Sequence, residues 1–344
     1  MTVTTKILEM IDDKEVTQVR LQNKNGLVVS FLTLGATWQE FLVPQPDGSY
    51  KNLLLGFDVP SDYYRNDLFA GQTIGRVAGR IAKGELTLDG NSYQLPINNH
   101  QNCLHGGPEG FHQLHWDYQV IEDEDRVTVV FSHSITEAHD GFPADMDVTV
   151  AVCLTNENQV IFEFSGANAT KSTVFNPTTH PYFNLSRYQN LQTHELMVAA
   201  DYVLETDDEL IPSGQFLPVD NTPFDFRKLT NLSRAIEQSV GFDDAFVVNQ
   251  AENQPIVVLR DRESGDQLNV YSERQGVVIY TMNSLTEGVS FARDDGKAGI
   301  IHEGIAIEPQ NLPDAVHHEH FDSIILAPNV EQTYHIIYEY VSSL

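Results

Sequence analysis

Basic residues are scarce in this 344-residue chain: 20 Lys+Arg stand against 49 Asp+Glu, so the formal charge at pH 7 is 20 − 49 = −29. A surface of that sign repels phosphate backbones and anionic lipid headgroups, which argues against nucleic acid and membranes as partners. Cysteine is nearly absent as well. Cys103 and Cys153 are the only two, too few for a disulfide framework and without the CxxC spacing of a zinc or redox site, so two buried thiols in a reducing compartment are expected. Long apolar runs are missing: no uncharged stretch approaches the roughly 18 residues of a membrane span. The opening MTVTTKILEMIDDKEV has no basic segment followed by an apolar one, and a cytoplasmic location is the expectation. Core material is ample, with 41% hydrophobic and 10% aromatic residues, so the excess of acid does not make a disordered polyanion.

Helical periodicity is equally sparse. Only NLSRAIEQ, residues 231–238, reads as a two-turn helix. The dominant hydrophobic period is two, the mark of half-buried strands. In DMDVTVAVCL the side chains of Val148, Val150, Val152 and Leu154 share a face, and beyond the turn Asn156-Glu157-Asn158 so do Val160, Phe162 and Phe164. ELTLDGNSYQL carries the type I′ turn dipeptide Asp89-Gly90, VVLRDRESGDQLNVYS repeats the hairpin around Gly265, and YHIIYEYV sets Tyr334, Ile336, Tyr338 and Tyr340 on one side. No linker, charge block or repeat divides the chain, although its length would suit about two domains by the rule of roughly 150 residues each. The pattern predicts an all-β protein built as one β-sandwich-like domain over residues 1–344.

Thirteen histidines raise the question of a metal. His317, His318 and His320 form one cluster and His112 and His115 another, but neither has a closing ligand at zinc-site spacing, and no metal is expected. Four polar segments among the strands carry more information: IGRVAGRIAKG (74–84), CLHGG (103–107), VFNPTTHPYFNL (174–185) and GIAIEPQNLPDAV (304–316). His180 precedes Pro181 and Glu308 precedes Pro309, so both ionisable side chains sit on extended backbone. Arg76, Arg80, His105 and Asp243 add donors and acceptors suited to sugar hydroxyls, and Gly106-Gly107 would let backbone approach a ligand. Taken singly, each of these is as readily an ordinary turn or a solvated side chain.

Taken together and in order, GRVAGRIAKG, LHGG, NPTTHPYFNL, GFDDAF and IEPQNLPDAV resemble the aldose 1-epimerase (galactose mutarotase) family. LETDDELIPSGQFLPV and PFDFRK, between them, extend the likeness over nearly the whole chain. The resemblance implies a large single-domain β-supersandwich and a cytoplasmic isomerase without cofactor. Its substrates would be free aldoses, galactose and glucose with maltose as a further candidate, and a monomer and a homodimer are equally compatible. By the family's pattern His180 is the general acid and Glu308 the general base, with Arg80, His105 and Asp243 binding the sugar. Two positions depart from it: Asp244 stands where His is common, and Met282 in Tyr280-Thr281-Met282-Asn283 stands where Gly is common, which bears on galactose preference.

Mutarotation needs an acid at the ring oxygen and a base at the C1 hydroxyl. Ordinary pKa values of about 4.3 for Glu and about 6.5 for His would let a carboxylate and an imidazolium coexist with modest tuning. Three other readings compete. A hexose-phosphate epimerase would need a basic cluster, which this composition hardly supplies. A glycoside hydrolase would pair Glu308 with Asp243 and leave His180 unemployed. A non-catalytic sugar-binding protein would keep the pocket without needing both His180 and Glu308.

Overall fold

The computed structural model describes residues 1–342. The hairpins form as the alternation predicts. Met146–Thr155 pairs with Gln159–Ala167, Glu85–Leu88 with Asn91–Gln94, and Val257–Asp261 with Gln267–Tyr271. Asp89 and Gly90 take φ values of 51° and 78°, as a type I′ turn requires. The helix spans Leu232–Ser239, and Asn231 caps it by accepting the Arg234 N–H at 2.9 Å. Among the described residues one further α-helix is present, the single turn Glu137–Asp140. Cys103 and Cys153 are both unpaired, and burial pushes the Cys103 thiol up to about 12.

Three sheets carry the architecture, and every strand pair in them is antiparallel. The first holds five strands from Thr2–Ile11 to Tyr50–Asn52. The second holds nine, with Gln332–Val341 between Gln159–Ala167 and Gln267–Tyr271. The third runs in the order Tyr182–Phe183, Ile305–Gln310, Gly276–Tyr280, Asp243–Val248, Ala200–Thr206, Pro212–Pro218. A bridge between Leu54 and Phe183 ties the first sheet to the third. The sheets meet over aromatic residues: Trp38 of the first packs 5.4 Å from Phe162 and 5.3 Å from Tyr338 of the second, and 5.8 Å from Phe183 of the third. The buried Tyr338 hydroxyl donates to the Ile307 carbonyl at 3.0 Å, joining the second sheet to the third by a polar contact inside the core.

The pleat of the third sheet sorts its side chains. Phe246, Val277, Ile279, Ile305 and Ile307 enter the core, while Asp243, Ala245, Val278, Tyr280, Glu308 and Gln310 turn to the opposite face and line a cavity. Register aligns them, since Glu308 pairs with Val278, Val278 with Ala245, and Asp243 with Tyr280. Tyr182–Phe183 pairs with Ala306 and Ile305 and its ladder stops short of Pro309, whose carbonyl instead accepts the Thr178 hydroxyl at 2.9 Å, so a residue without an N–H is tolerated there.

Candidate active site

The cavity on that face holds about 540 Å³. His180 reaches it from the third polar segment, held on both sides of its own backbone: the Gly71 N–H donates to the His180 carbonyl at 2.8 Å and the His180 N–H donates to the Gln72 carbonyl at 3.0 Å. Its Nε2 lies 3.3 Å from Glu308 Oε1, and both side chains are buried. His105 stands at 5.5 Å, ring centre to ring centre, nearly perpendicular to His180. The Gly79 N–H donates to His105 Nδ1 at 3.2 Å, which makes Nδ1 the acceptor and leaves the imidazole proton on Nε2. Arg80 donates from Nε to Asn99 Oδ1 at 3.1 Å, and Arg80 and Asp243 both line the cavity. The five residues expected at the site, drawn from positions 80 to 308, therefore converge on one cavity.

Electrostatics depart from the modest tuning expected of the sequence. Burial drives the His180 imidazole down to about 4 and lifts the Glu308 carboxyl well above its ordinary range. The nearby Asp243 charge raises Glu308 further, and Arg80 partly offsets this. Burial likewise raises Asp243, again opposed by Arg80, and holds His105 well below its ordinary value. The low-dielectric floor thus favours uncharged forms of both members of the His180–Glu308 pair. Among the described residues, Glu308 Oε2 and His180 Nδ1 have no hydrogen-bond partner.

Comparison with known proteins matches the chain to a family. The aldose 1-epimerase family profile covers residues 17–339. The aldose 1-epimerase of Streptococcus thermophilus is 45% identical over 100% of the chain and 99% of its own length. The chain belongs to the aldose 1-epimerase family. It is accordingly an isomerase acting on aldoses. The maltose epimerase of Levilactobacillus brevis is 33% identical over 99% of each chain. The crystal structure of galactose 1-epimerase from Lactobacillus acidophilus NCFM superposes with a TM-score of 0.87 over 100% of this chain and 99% of that one, at 26% identity.

Several sequence expectations are corrected within this aldose 1-epimerase fold. Arg76, read as a sugar-gripping donor, is fully buried away from the cavity. It donates to both Asp140 oxygens at 2.6 and 2.9 Å and to Pro143 O and Thr173 Oγ1 at 3.1 Å. Gly106 serves chain packing rather than a ligand, because a Cβ there would lie 1.8 Å from the Gly75 carbonyl oxygen. Asp244 faces away from the cavity and accepts the Asp243 N–H at 3.0 Å. Met282 is buried at φ 48° among Tyr63, Tyr182 and Phe291, behind the cavity wall, so the glycine common at this position suits a left-handed backbone. His112 does line the cavity, whereas His115 does not, so one histidine of a pair without zinc-site spacing stands beside the sugar-binding candidates. Phe69, Gln72, Tyr182 and Gln310 also line it, and no sequence signal marked the first two.

The histidine cluster at 317–320 is absorbed by ordinary contacts: His317 pairs with Asp314 at 2.7 Å, and His318 and His320 bind the Pro212 and Gly214 carbonyls. Among the described residues, the group of three His, Cys, Asp or Glu side chains near enough to hold a metal is His105, His180 and Glu308, whose ligand atoms lie within 4.8 Å of one another. A metal-bound imidazole normally donates its second N–H outward. Here the Gly79 N–H points into His105 Nδ1 and keeps the proton on Nε2, so the trio suits proton handling better than metal binding.

Proposed function

We propose that this protein interconverts the α and β anomers of free galactose, glucose and maltose, with Glu308 as general base and His180 as general acid. The observation that carries the reading is the 3.3 Å contact between two buried, oppositely disposed proton carriers in the cavity. The base takes the C1 hydroxyl proton while the acid delivers one to the ring oxygen; the C1–O5 bond breaks and C1 becomes the aldehyde. Rotation about C1–C2 presents the other carbonyl face, and reclosure returns each proton to its donor.

The pair carries one proton in either arrangement. Burial favours neutral His180 with protonated Glu308, which is also the state reached when the ring has opened. Ring opening therefore discharges a buried ion pair, and the sugar hydroxyls supply the polar contacts that let that ion pair form beforehand. His105 donates from Nε2 to the ring oxygen or a neighbouring hydroxyl, and Arg80 and Asp243 orient the remaining hydroxyls. Arg80 is the single Arg or Lys among the lining residues, which also include Asp67, Asp243 and Glu308. That balance suits a neutral sugar and disfavours a phosphorylated one.

The test is polarimetry on fresh α-glucose, α-galactose and maltose. An aldose 1-epimerase of this type speeds each approach to its spontaneous equilibrium rotation. A hydrolase would instead release a new sugar from a glycoside, and a sensor would bind saturably without any rate effect. His180→Asn should lose most of the rate in a folded protein; full activity in that variant would remove His180 from the mechanism. We further propose that residues 1–344 form one domain in a reducing, cytoplasmic location. One hydrophobic cluster drawing residues from Val19 to Tyr340 supports the first, and two unpaired thiols the second. Among the described residues no helix is long and apolar enough to cross a membrane.

A further inference from the structure

Phe69 has no step in the reaction, yet its ring meets three imidazoles of the cavity. It stands edge-on to His105 at 4.9 Å and to His112 at 5.0 Å, and tilted against His180 at 6.1 Å. Its backbone has φ 54°, a left-handed conformation that a bulky side chain adopts rarely and that tends to persist where surrounding structure enforces it. The enforcement is visible. The Gln72 N–H closes the turn on the Phe69 carbonyl at 3.0 Å, and the same turn exchanges two backbone hydrogen bonds with His180. Gln72 Nε2 donates to the His112 carbonyl at 3.0 Å, and the Trp38 N–H donates to the Gly71 carbonyl at 2.7 Å. A Cβ at Gly71 would lie 2.1 Å from Trp38 O, so the turn is pressed against the first sheet and cannot retreat.

We propose that Phe69 is a positioning residue of the acid–base site, an apolar wedge that fixes the His105 and His180 rings and keeps water off them, so that the sugar is the proton partner of His180. The inference rests on the reading of His180 as the acid. The carbon ring offers no donor or acceptor to the imidazoles it touches, and the Nδ1 atoms of His112 and His180 are both buried without a hydrogen-bond partner among the described residues. The charged and titratable groups around the rings are Arg80 and His112 near His105, Glu308 and Tyr182 beside His180, and the two imidazoles themselves, 5.5 Å apart. None of them is replaced when Phe69 is changed. The depressed titration of His180 comes first from burial, and Phe69 is one of the walls of that burial.

Phe69→Ala and Phe69→Leu in the full chain test the proposal by two readouts. The first is the nuclear magnetic resonance titration of the histidine rings without sugar. In Phe69→Ala the His180 midpoint should climb from about 4 towards the ordinary value of about 6.5, with Phe69→Leu, which restores apolar volume, in between. The second is mutarotation, in which kcat should fall about 10²-fold in Phe69→Ala with a smaller change in KM. A wild-type His180 titration in both variants overturns the proposal. So does a rise in KM alone, which would make Phe69 a stacking platform for the sugar. If Phe69→Ala does not fold, the Phe69→Leu titration decides on its own, a rise supporting the wedge and none overturning it. If His180→Asn keeps full activity, the acid assignment fails while the titration still reports whether Phe69 shields the ring.

Discussion

Replacing Arg76 by Met should weaken folding severely and leave sugar binding untouched. Arg76 and Asp140 are both fully buried and joined by two hydrogen bonds of 2.6 and 2.9 Å, and Arg76 makes two more at 3.1 Å to Pro143 O and Thr173 Oγ1. Met fills much of the volume but strands a carboxyl whose remaining side-chain partner is the Phe142 N–H. Breaking such a buried pair from one side costs roughly 3–5 kcal/mol. Burial already raises Asp140 against the pull of Arg76, so without that pull the folded state holds a proton that the unfolded state has released. Because the native state then binds the extra proton, stability falls as pH rises. The deficit should be greater at pH 8 than at pH 5. Urea unfolding followed by the fluorescence of the buried Trp38 and Trp116 measures it at both values, and mutarotation gives KM. The double variant Arg76→Met/Asp140→Leu should recover most of the loss, since a well-packed apolar pair can replace a buried ion pair at little cost. A KM raised tenfold or more with an unchanged urea midpoint would refute this account and return Arg76 to the sugar.

Three other outcomes follow from the same geometry. In the sugar-free protein the His180 ring should be neutral at pH 7 and take its proton only near pH 4, where burial sets it; a ring that titrates near 6.5 contradicts the dry floor of the site. Arg80→Ala should raise KM and, because Arg80 holds down both Glu308 and Asp243, shift the alkaline limb of the pH–rate profile to higher pH; a limb that moves down reverses the assigned sign. Met282→Gly relieves a left-handed backbone cost of about 1–2 kcal/mol but deletes a fully buried side chain worth about 2–5 kcal/mol. The variant should therefore be less stable by calorimetry with its galactose-to-glucose rate ratio unchanged, and a changed ratio would mean that Met282 reaches the sugar.

Much of the fold is legible in the sequence because hairpins are local. Val148 to Phe164 disclose their alternation and their turn within twenty residues, and Asn231 announces the helix it caps. The candidate site is legible to the extent that the five residues lining the cavity sit in constrained, polar segments: His180 and Glu308 before prolines, His105 in a glycine turn, Arg80 and Asp243 in short motifs. What could not be read depends on long-range pairing. Arg76 looks like Arg80 four residues on, and only Asp140, 64 residues away, makes one a buried strut while the other lines the cavity. Phe69 is an apolar residue in a turn without a sequence signal, and its ring contacts are with three imidazoles that lie far from it in the chain. The proton balance of the pair was equally hidden, since composition carries no information about the dryness of a cavity floor.

The central claim is that one proton passes through the sugar between His180 and Glu308. Glu308→Gln keeps the shape of the side chain and removes the base. Polarimetry of fresh α-galactose with this variant, after circular dichroism has verified its fold, should give a catalysed rate about 10²–10⁴-fold below the parent and close to the spontaneous one. Parental rates in a folded Glu308→Gln protein would contradict the account.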